Sequence, residues 1–262
     1  MKPQAVDESR LADLPRGGHV CWAIRKNARY EKVARRLIDQ GKSAGEKVVV
    51  FAPSGSSDSA GGDVVAVDPL DAFLAGTFDA QTMFAVFREQ DRIARAEGFS
   101  GLCIVADMDW LRRADPSVRQ VMEYELLGDR LVRELGATAV CTYRSSSYRP
   151  DIVLGAQAVH RFACGEPLPP FQLVAGDGDG WVLLGEVDVA VEPQFGIAVD
   201  VAVGAGPCVI DISGLEFIDV AGMRTLANAC AQAETAVRLE GASPSLQRFW
   251  KLGAFEDVVP IS

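Results

Sequence analysis

Apolar and polar positions along the chain alternate between two periods. Nearly unbroken apolar runs occur at 19–24 (His19-Val20-Cys21-Trp22-Ala23-Ile24), 47–52, 64–67, 102–106 (ending at Asp107) and 138–143. Such runs are typical of parallel strands covered on both faces. Between them the spacing turns helical. Asn27 reads as an N-cap, and Tyr30, Val33, Ala34, Leu37 and Ile38 follow at steps of three and four up to Gly41. Residues 79–97 carry a stripe of Met83, Val86, Phe87, Gln90, Ile93 and Ala94. Residues 117–135 are helical up to Gly136, and 152–163 read as one further helix. This alternation predicts a mostly parallel α/β sheet with helices on both faces. Residues 54–62, rich in Ser and Gly, have no periodicity and read as a loop.

The pattern changes at Glu166-Pro167-Leu168-Pro169-Pro170, where a helix cannot continue and an extended spacer is favoured. Beyond it, apolar runs at 171–175 and 181–186 flank Gly176-Asp177-Gly178-Asp179-Gly180, which is a hairpin signal. A helix-like stretch at 189–201, a strand at 208–212, a helix at 220–232, a strand at 237–239 and a helix at 244–252 complete a small α/β unit. The expected organisation is a tail (1–14), a first domain (15–166), a proline linker (167–170) and a second domain (171–262).

A length of 262 residues suits two domains, and the 48% hydrophobic and 24% charged content is that of globular chains. No apolar run is long enough to span a membrane, and the polar N-terminus has no secretory core, so a cytoplasmic location is expected. Charge separates the two segments. The first 166 residues carry 22 basic and 23 acidic side chains, and the remainder carries 4 and 13. The acidic second segment argues against nucleic acid there. The six cysteines form no C-x-x-C pair and read as buried, reduced thiols.

Gly41-Lys42-Ser43 resembles the end of a phosphate loop. The required earlier glycine is replaced by Arg36, however, and the tripeptide closes a helix instead of opening one. Asp107 ends an apolar strand like the metal-side aspartate of nucleotide hydrolases, but without a phosphate loop a structural or ligand-contacting role is expected. His19 and Cys21 share a strand face. With Cys141 and His160 they supply the residue types of a mixed Cys/His metal site. Their spacing is far from the compact pairs of zinc modules, and no metal is expected. No Ser-His-Asp order stands out, and no catalytic residue is assigned.

The second segment resembles STAS domains, the anti-sigma-factor antagonists, over nearly all of 173–259. The resemblance rests on Leu183-Leu184-Gly185-Glu186-Val187-Asp188 and on the run Val209-Ile210-Asp211-Ile212-Ser213-Gly214-Leu215-Glu216-Phe217-Ile218-Asp219-Val220-Ala221-Gly222. In phosphorylated members a Ser or Thr follows that aspartate. Here Val220 and then Ala221 follow, and neither has a hydroxyl. The first segment is similar to MEDS sensory domains. The residues that carry this similarity are His19-Val20-Cys21, the helix to Gly41, Val48-Val49-Val50, Ala106-Asp107-Met108-Asp109-Trp110, Glu123-Tyr124-Glu125, Val140-Cys141-Thr142-Tyr143 and His160. This resemblance implies a RecA-like fold without its phosphate loop, and the sensing of a small organic molecule.

Together these readings predict a non-catalytic signalling regulator. Open parallel sheets bind ligands at the carboxyl ends of their strands. Trp110 and Tyr143 are therefore the favoured ligand contacts, with Asp107, His19, Cys21 and His160 as further candidates. The loop Asp219, Val220, Ala221 and Gly222 is the expected partner contact, for an anti-sigma factor or similar regulator, and a homodimer is admitted. No cofactor, nucleic acid or membrane is expected. The alternatives are a nucleotide-binding or hydrolysing enzyme with a divergent site and a purely structural oligomerisation module. The basic positions Arg29, Lys32, Arg35 and Arg36 are expected to dock on the acidic second domain, within the chain or across a dimer.

Overall fold

A computed structural model describes residues 3–25, 29–51, 64–67, 69 and 79–262. The first unit runs β1 (His19–Ile24), α1 (Tyr30–Ser43), β2 (Lys47–Phe51), β3 (Val64–Val67), α2 (Ala80–Ala96), β4 (Leu102–Asp107), α3 (Val118–Leu135), β5 (Thr138–Arg144), α4 (Pro150–Ala158) and β6 (Phe162–Cys164). Its six strands lie in the order β3-β2-β4-β5-β1-β6, and every pairing is parallel. The two faces of this sheet are covered by separate apolar layers. Cys21 and Ala23 of β1 enter one layer, and Val20, Trp22 and Ile24 enter the other. That double burial explains the near-continuous apolar strands.

Local chemistry sets the helix ends. The Ser117 side chain and Gln120 form a reciprocal capping box on α3, and Gly136 closes it in the left-handed conformation. Asp79 caps α2. Gly41 lies inside α1 where the helix meets the sheet, and a Cβ there would sit 2.8 Å from Cys103 Cβ. The Gly-Lys-Ser tripeptide thus owes its glycine to helix–sheet packing. Asn27 and the 54–62 loop lie outside the described residues.

One helix was expected over 152–163. The chain instead leaves α4 at Ala158 and enters the three-residue edge strand β6, beside β1. Gly165 makes this close approach possible: its φ is +98°, and a Cβ would meet the Ala23 carbonyl oxygen at 2.1 Å. The N-terminal segment lies on the body of the protein. Ala5 bridges to Ala163, and Leu11 is fully buried.

The second unit contains β7 (Phe171–Ala175), β8 (Trp181–Val187), α5 (Glu192–Gly204), β9 (Cys208–Ile218), α6 (Val220–Gln232), β10 (Val237–Glu240) and α7 (Pro244–Leu252), with the sheet order β10-β9-β8-β7. The β7–β8 hairpin is antiparallel and the other pairs are parallel. β9 runs on past the expected end at Ile212. Two register shifts against β8 let it follow the twist, so Ser213-Gly214 continues the strand instead of turning.

The two units share one buried layer. Met122 and Leu126 of α3, with Ala158 and Val159, pack into the cluster built by Phe171, Leu173 and Phe195. α3 is therefore covered on two sides: Val121, Tyr124, Leu131 and Val132 face the first sheet. Arginines of α3 add charge contacts at this joint, Arg119 to Asp200 at 3.1 Å and Arg133 to Asp177. The predicted docking face behaves differently. Arg29 pairs with Glu8 at 3.8 Å and Arg36 donates to the Ser9 carbonyl, so these two bind the N-terminal segment. α1 packs against β2 and β4, whereas the joint is formed by α3 and α4.

Candidate functional site

The parallel register of β1 and β5 sets Cys21 opposite Cys141, and His19 one step earlier on the same face. α3 crosses this face and presents Glu125 and Asp129, one helical turn apart. The turn after α4 brings in His160. All of these side chains are buried. His19 Nε2 lies 3.5 Å from Cys141 Sγ and 3.5 Å from Glu125 Oε2, and His160 Nε2 lies 3.3 Å from the same carboxylate oxygen. The two imidazole rings are 3.9 Å apart, centroid to centroid. Among the described residues, His19, Glu125, Cys141 and His160 form the group able to hold a metal ion, with one ligand atom from each and all four within 4.8 Å of one another.

Neighbours fix the orientation of each member. His19 Nδ1 is 3.3 Å from Asp129 Oδ1. His160 Nδ1 lies 2.7 Å from the Ala156 carbonyl oxygen, which can only accept, so this nitrogen carries the hydrogen. Tyr143 donates to Glu125 Oε1. The cluster also reaches the second unit. The Ala175 N–H of β7 donates to Asp129 Oδ2 at 2.9 Å, and Gln172 Nε2 donates to the His160 carbonyl at 2.9 Å. Gln172 Oε1 accepts from the Gln4 N–H.

Burial and charge pull the titrating groups apart. Burial alone would lower the pKa of His19, but Asp129 and Glu125 outweigh it and raise the pKa to about 9. Burial, aided by repulsion from His19, lowers that of His160 to about 4. Burial pushes the Glu125 carboxyl up, yet His160, His19 and the Tyr143 hydrogen bond together hold it below the usual carboxylate range. Burial, then the Glu125 charge, pushes the Cys21 and Cys141 thiols well up.

Of the remaining sequence candidates, Trp110 and Asp107 lie outside the cluster, whereas Tyr143 joins it through Glu125. Trp110 and Tyr143 are both packed in the core. Trp110 lies edge-on to Tyr124, and Tyr143 meets Tyr148. Asp107 accepts both terminal nitrogens of Arg144, one at 2.8 Å, and caps the turn after β4. A cleft of about 900 Å³ opens at the carboxyl ends of β1 and β6. It is lined by Trp22, Ile24, Cys164 and Leu168 together with Arg29 and Glu166. Glu125 and Asp129 were missed as site residues. Their sequence signal is a pair of acids, spaced by four, within the buried stripe of α3.

In the second unit Asp219 caps α6, its Oδ1 accepting from the Gly222 N–H at 2.8 Å. Gly222 packs against Val187 and Ile218, while Val220 is 58% exposed and Phe217 is 51% exposed. The four loop residues predicted for partner contact thus lie together at this helix start.

Residues 18–161 match the family described as MEDS, the MEthanogen/methylotroph, DcmR Sensory domain, and residues 178–260 match the family described as Mlab, STAS domain. Among solved structures, an anti-sigma factor antagonist from Mycobacterium paratuberculosis is 26% identical, over 35% of this chain and 82% of that one, with a TM-score of 0.30. The anti-sigma factor antagonist SpoIIAA in its unphosphorylated form is 18% identical, over 35% and 87%, with a TM-score of 0.26. No curated relative matches the chain. No helix among the described residues is long and apolar enough to cross a membrane. With the sensory-domain match spanning more than half of its residues, the chain belongs to the MEDS family and carries a STAS domain behind its MEDS unit.

Proposed function

We propose that the protein is a non-catalytic signalling regulator whose MEDS unit takes up a small organic molecule and whose STAS domain engages a regulatory protein of the anti-sigma-factor kind. The observation that carries this reading is the apolar ridge at the start of α6. Phe217 and Val220 stand in water on either side of the helix-capping Asp219, in the loop where the STAS resemblance expects partner contact. Large apolar side chains clustered on a surface favour a protein partner. The cleft at the ends of β1 and β6 has the volume of a small-molecule site and a largely apolar wall, and it replaces Trp110 and Tyr143 as the proposed ligand contact. The histidines and the Cys141 thiol lie sealed in the core, which supports a role other than catalysis on a diffusing substrate. Val220 has no hydroxyl to phosphorylate, so control passes through ligand, domain contact and partner supply.

The test is calorimetric titration of the full-length protein with the anti-sigma factors of its host, alongside native mass spectrometry of the protein as purified. One anti-sigma factor should bind the wild type, and Phe217→Asp and Val220→Asp should abolish that binding while leaving the melting temperature in place. Failure of every anti-sigma factor to bind, or binding unaffected by both substitutions, overturns the partner reading. Binding of a nucleotide in place of an organic ligand would favour the enzyme alternative.

A further inference from the structure

We propose that His19, Glu125, Cys141 and His160 form a closed tetrahedral site for one divalent transition-metal ion, zinc by the chemistry of the donors. The four ligand atoms lie within 4.8 Å of one another, and three of their separations are those that zinc imposes. Bonds of about 2.0–2.1 Å to nitrogen or oxygen and about 2.3 Å to sulfur give tetrahedral edges of roughly 3.3–3.6 Å. Three edges here measure 3.5 Å (His19 to Cys141), 3.5 Å (His19 to Glu125) and 3.3 Å (His160 to Glu125).

The surrounding groups point the donors inward. The Ala156 carbonyl holds the hydrogen of His160 on Nδ1, and Asp129 faces His19 Nδ1, so both Nε2 lone pairs are left for the centre. Tyr143 holds one oxygen of Glu125 and leaves Oε2 turned the same way. Carboxylate and carbonyl partners on the outer nitrogens of histidine ligands are the usual supporting shell of a metal site. An independent observation is that His160 Nε2 is fully buried and makes no hydrogen bond, although it faces the Glu125 oxygen. Two acceptors facing one another inside a core are costly, and a cation between them removes the cost.

Charge and donor type select the ion. As the metal–sulfur bond forms, the Cys141 proton leaves to solvent. The dication then balances the thiolate and the Glu125 carboxylate, while Arg161, 3.8 Å away, balances Asp129. Two imidazoles, a thiolate and one carboxylate suit zinc and not the oxygen-rich shells of calcium or magnesium. Four protein ligands with no open position make the site structural. The ligands come from β1, α3, β5 and the turn after α4, so the ion would fasten the sheet of the MEDS unit to the helical layer that contacts β7. The proposal is independent of what binds in the cleft or on the STAS domain.

The experiment uses the full chain, freed of metal by a chelator and then titrated separately with zinc and with cobalt(II). One equivalent of zinc should be retained through gel filtration. Cobalt should give the visible bands of a tetrahedral ion together with a thiolate charge-transfer band. Cys141→Ser should remove that charge-transfer band, and His160→Gln should weaken binding at least tenfold. Circular dichroism checks that each variant is folded. Should either fail to fold, the wild type still decides through the proton released to a weak buffer on zinc addition, expected to be at least one per ion. Folded protein that retains no zinc and leaves cobalt in its octahedral aqueous form overturns the proposal, as does zinc uptake without proton release.

Discussion

The two units differ in where they keep the side chains that do not suit their surroundings. Among the described residues, every buried polar or charged side chain except Gln172 belongs to the MEDS unit or its entry, from His19 to His160. Among the described residues, too, every large exposed hydrophobic side chain, from Leu168 to Val258, belongs to the linker or the STAS domain. The first unit hides polarity inside and the second shows apolar surface outside. Burying a charge is costly unless it is partnered, and exposing a large apolar group forgoes the gain of burial. The contrast sets a polar cluster enclosed in one unit against apolar side chains exposed on the other. Gln172 belongs to this pattern, because it reaches back from β7 to the His160 carbonyl.

The largest expected effect comes from removing the shared partner of the interior. Asp129→Ala leaves His19 with Glu125 as its one remaining close counter-charge and the Ala175 N–H without an acceptor. Breaking a buried pair in this way costs about 3–5 kcal/mol. The surface counterpart, Asp219→Ala, removes only a helix cap and should cost about 1 kcal/mol. Urea unfolding of both variants checks the contrast, and equal losses would break it.

The second effect is a pH profile that the interior imposes on metal-free protein. His19, facing Glu125, Asp129, Cys141 and His160, has its folded pKa raised from 6.5 to about 9. Its contribution is complete below pH 6.5 and is lost as pH rises toward 9. His160, against His19 and Glu125, has its folded pKa lowered from 6.5 to about 4, so its contribution is complete above pH 6.5 and is lost as pH falls toward 4. Depressed Glu125 adds to the loss on the acid side. Stability in the presence of chelator should peak near pH 6.5 and fall on each side by on the order of 2–3 kcal/mol. Zinc should abolish the alkaline fall, because His19 is then a neutral ligand. Thermal unfolding across pH, with and without zinc, measures both limbs.

The smallest effect concerns surface charge at the joint. Reversing Arg119 and Arg133 to Glu should loosen the two units slightly, as should raised salt, because exposed pairs are weak and screened. Reversing Arg29 and Arg36 should leave the joint unchanged, since these residues bind the N-terminal segment. Small-angle scattering distinguishes the two pairs.

Much of this architecture is legible in the sequence wherever period and caps agree. α6 and α7 have the expected bounds, and α3 runs from its Ser117 cap to Gly136 as read. Where local signals compete with tertiary ones, the reading slipped. Phe162-Ala163-Cys164 looks like the end of α4, because three apolar residues carry no period of their own and only pairing with β1 makes them a strand. Ser213-Gly214 lies past the strand end expected at Ile212, because its bulged pairing with β8 is invisible locally. The polar cluster was half legible. His19, Cys21, Cys141 and His160 stood out by type, whereas Glu125 and Asp129 resemble ordinary solvated helix acids until the second unit is laid over α3.

The account turns on the claim that the enclosed cluster of the MEDS unit is wired to β7 of the STAS domain through Asp129 and Gln172. Amide hydrogen exchange of the full chain with and without one equivalent of zinc tests it most directly. Protection should increase in β1 and in the second half of α3, and also across Phe171–Ala175, with no change at β10 or α7. Protection that rises in the MEDS unit while Phe171–Ala175 exchanges at its former rate would contradict the coupling.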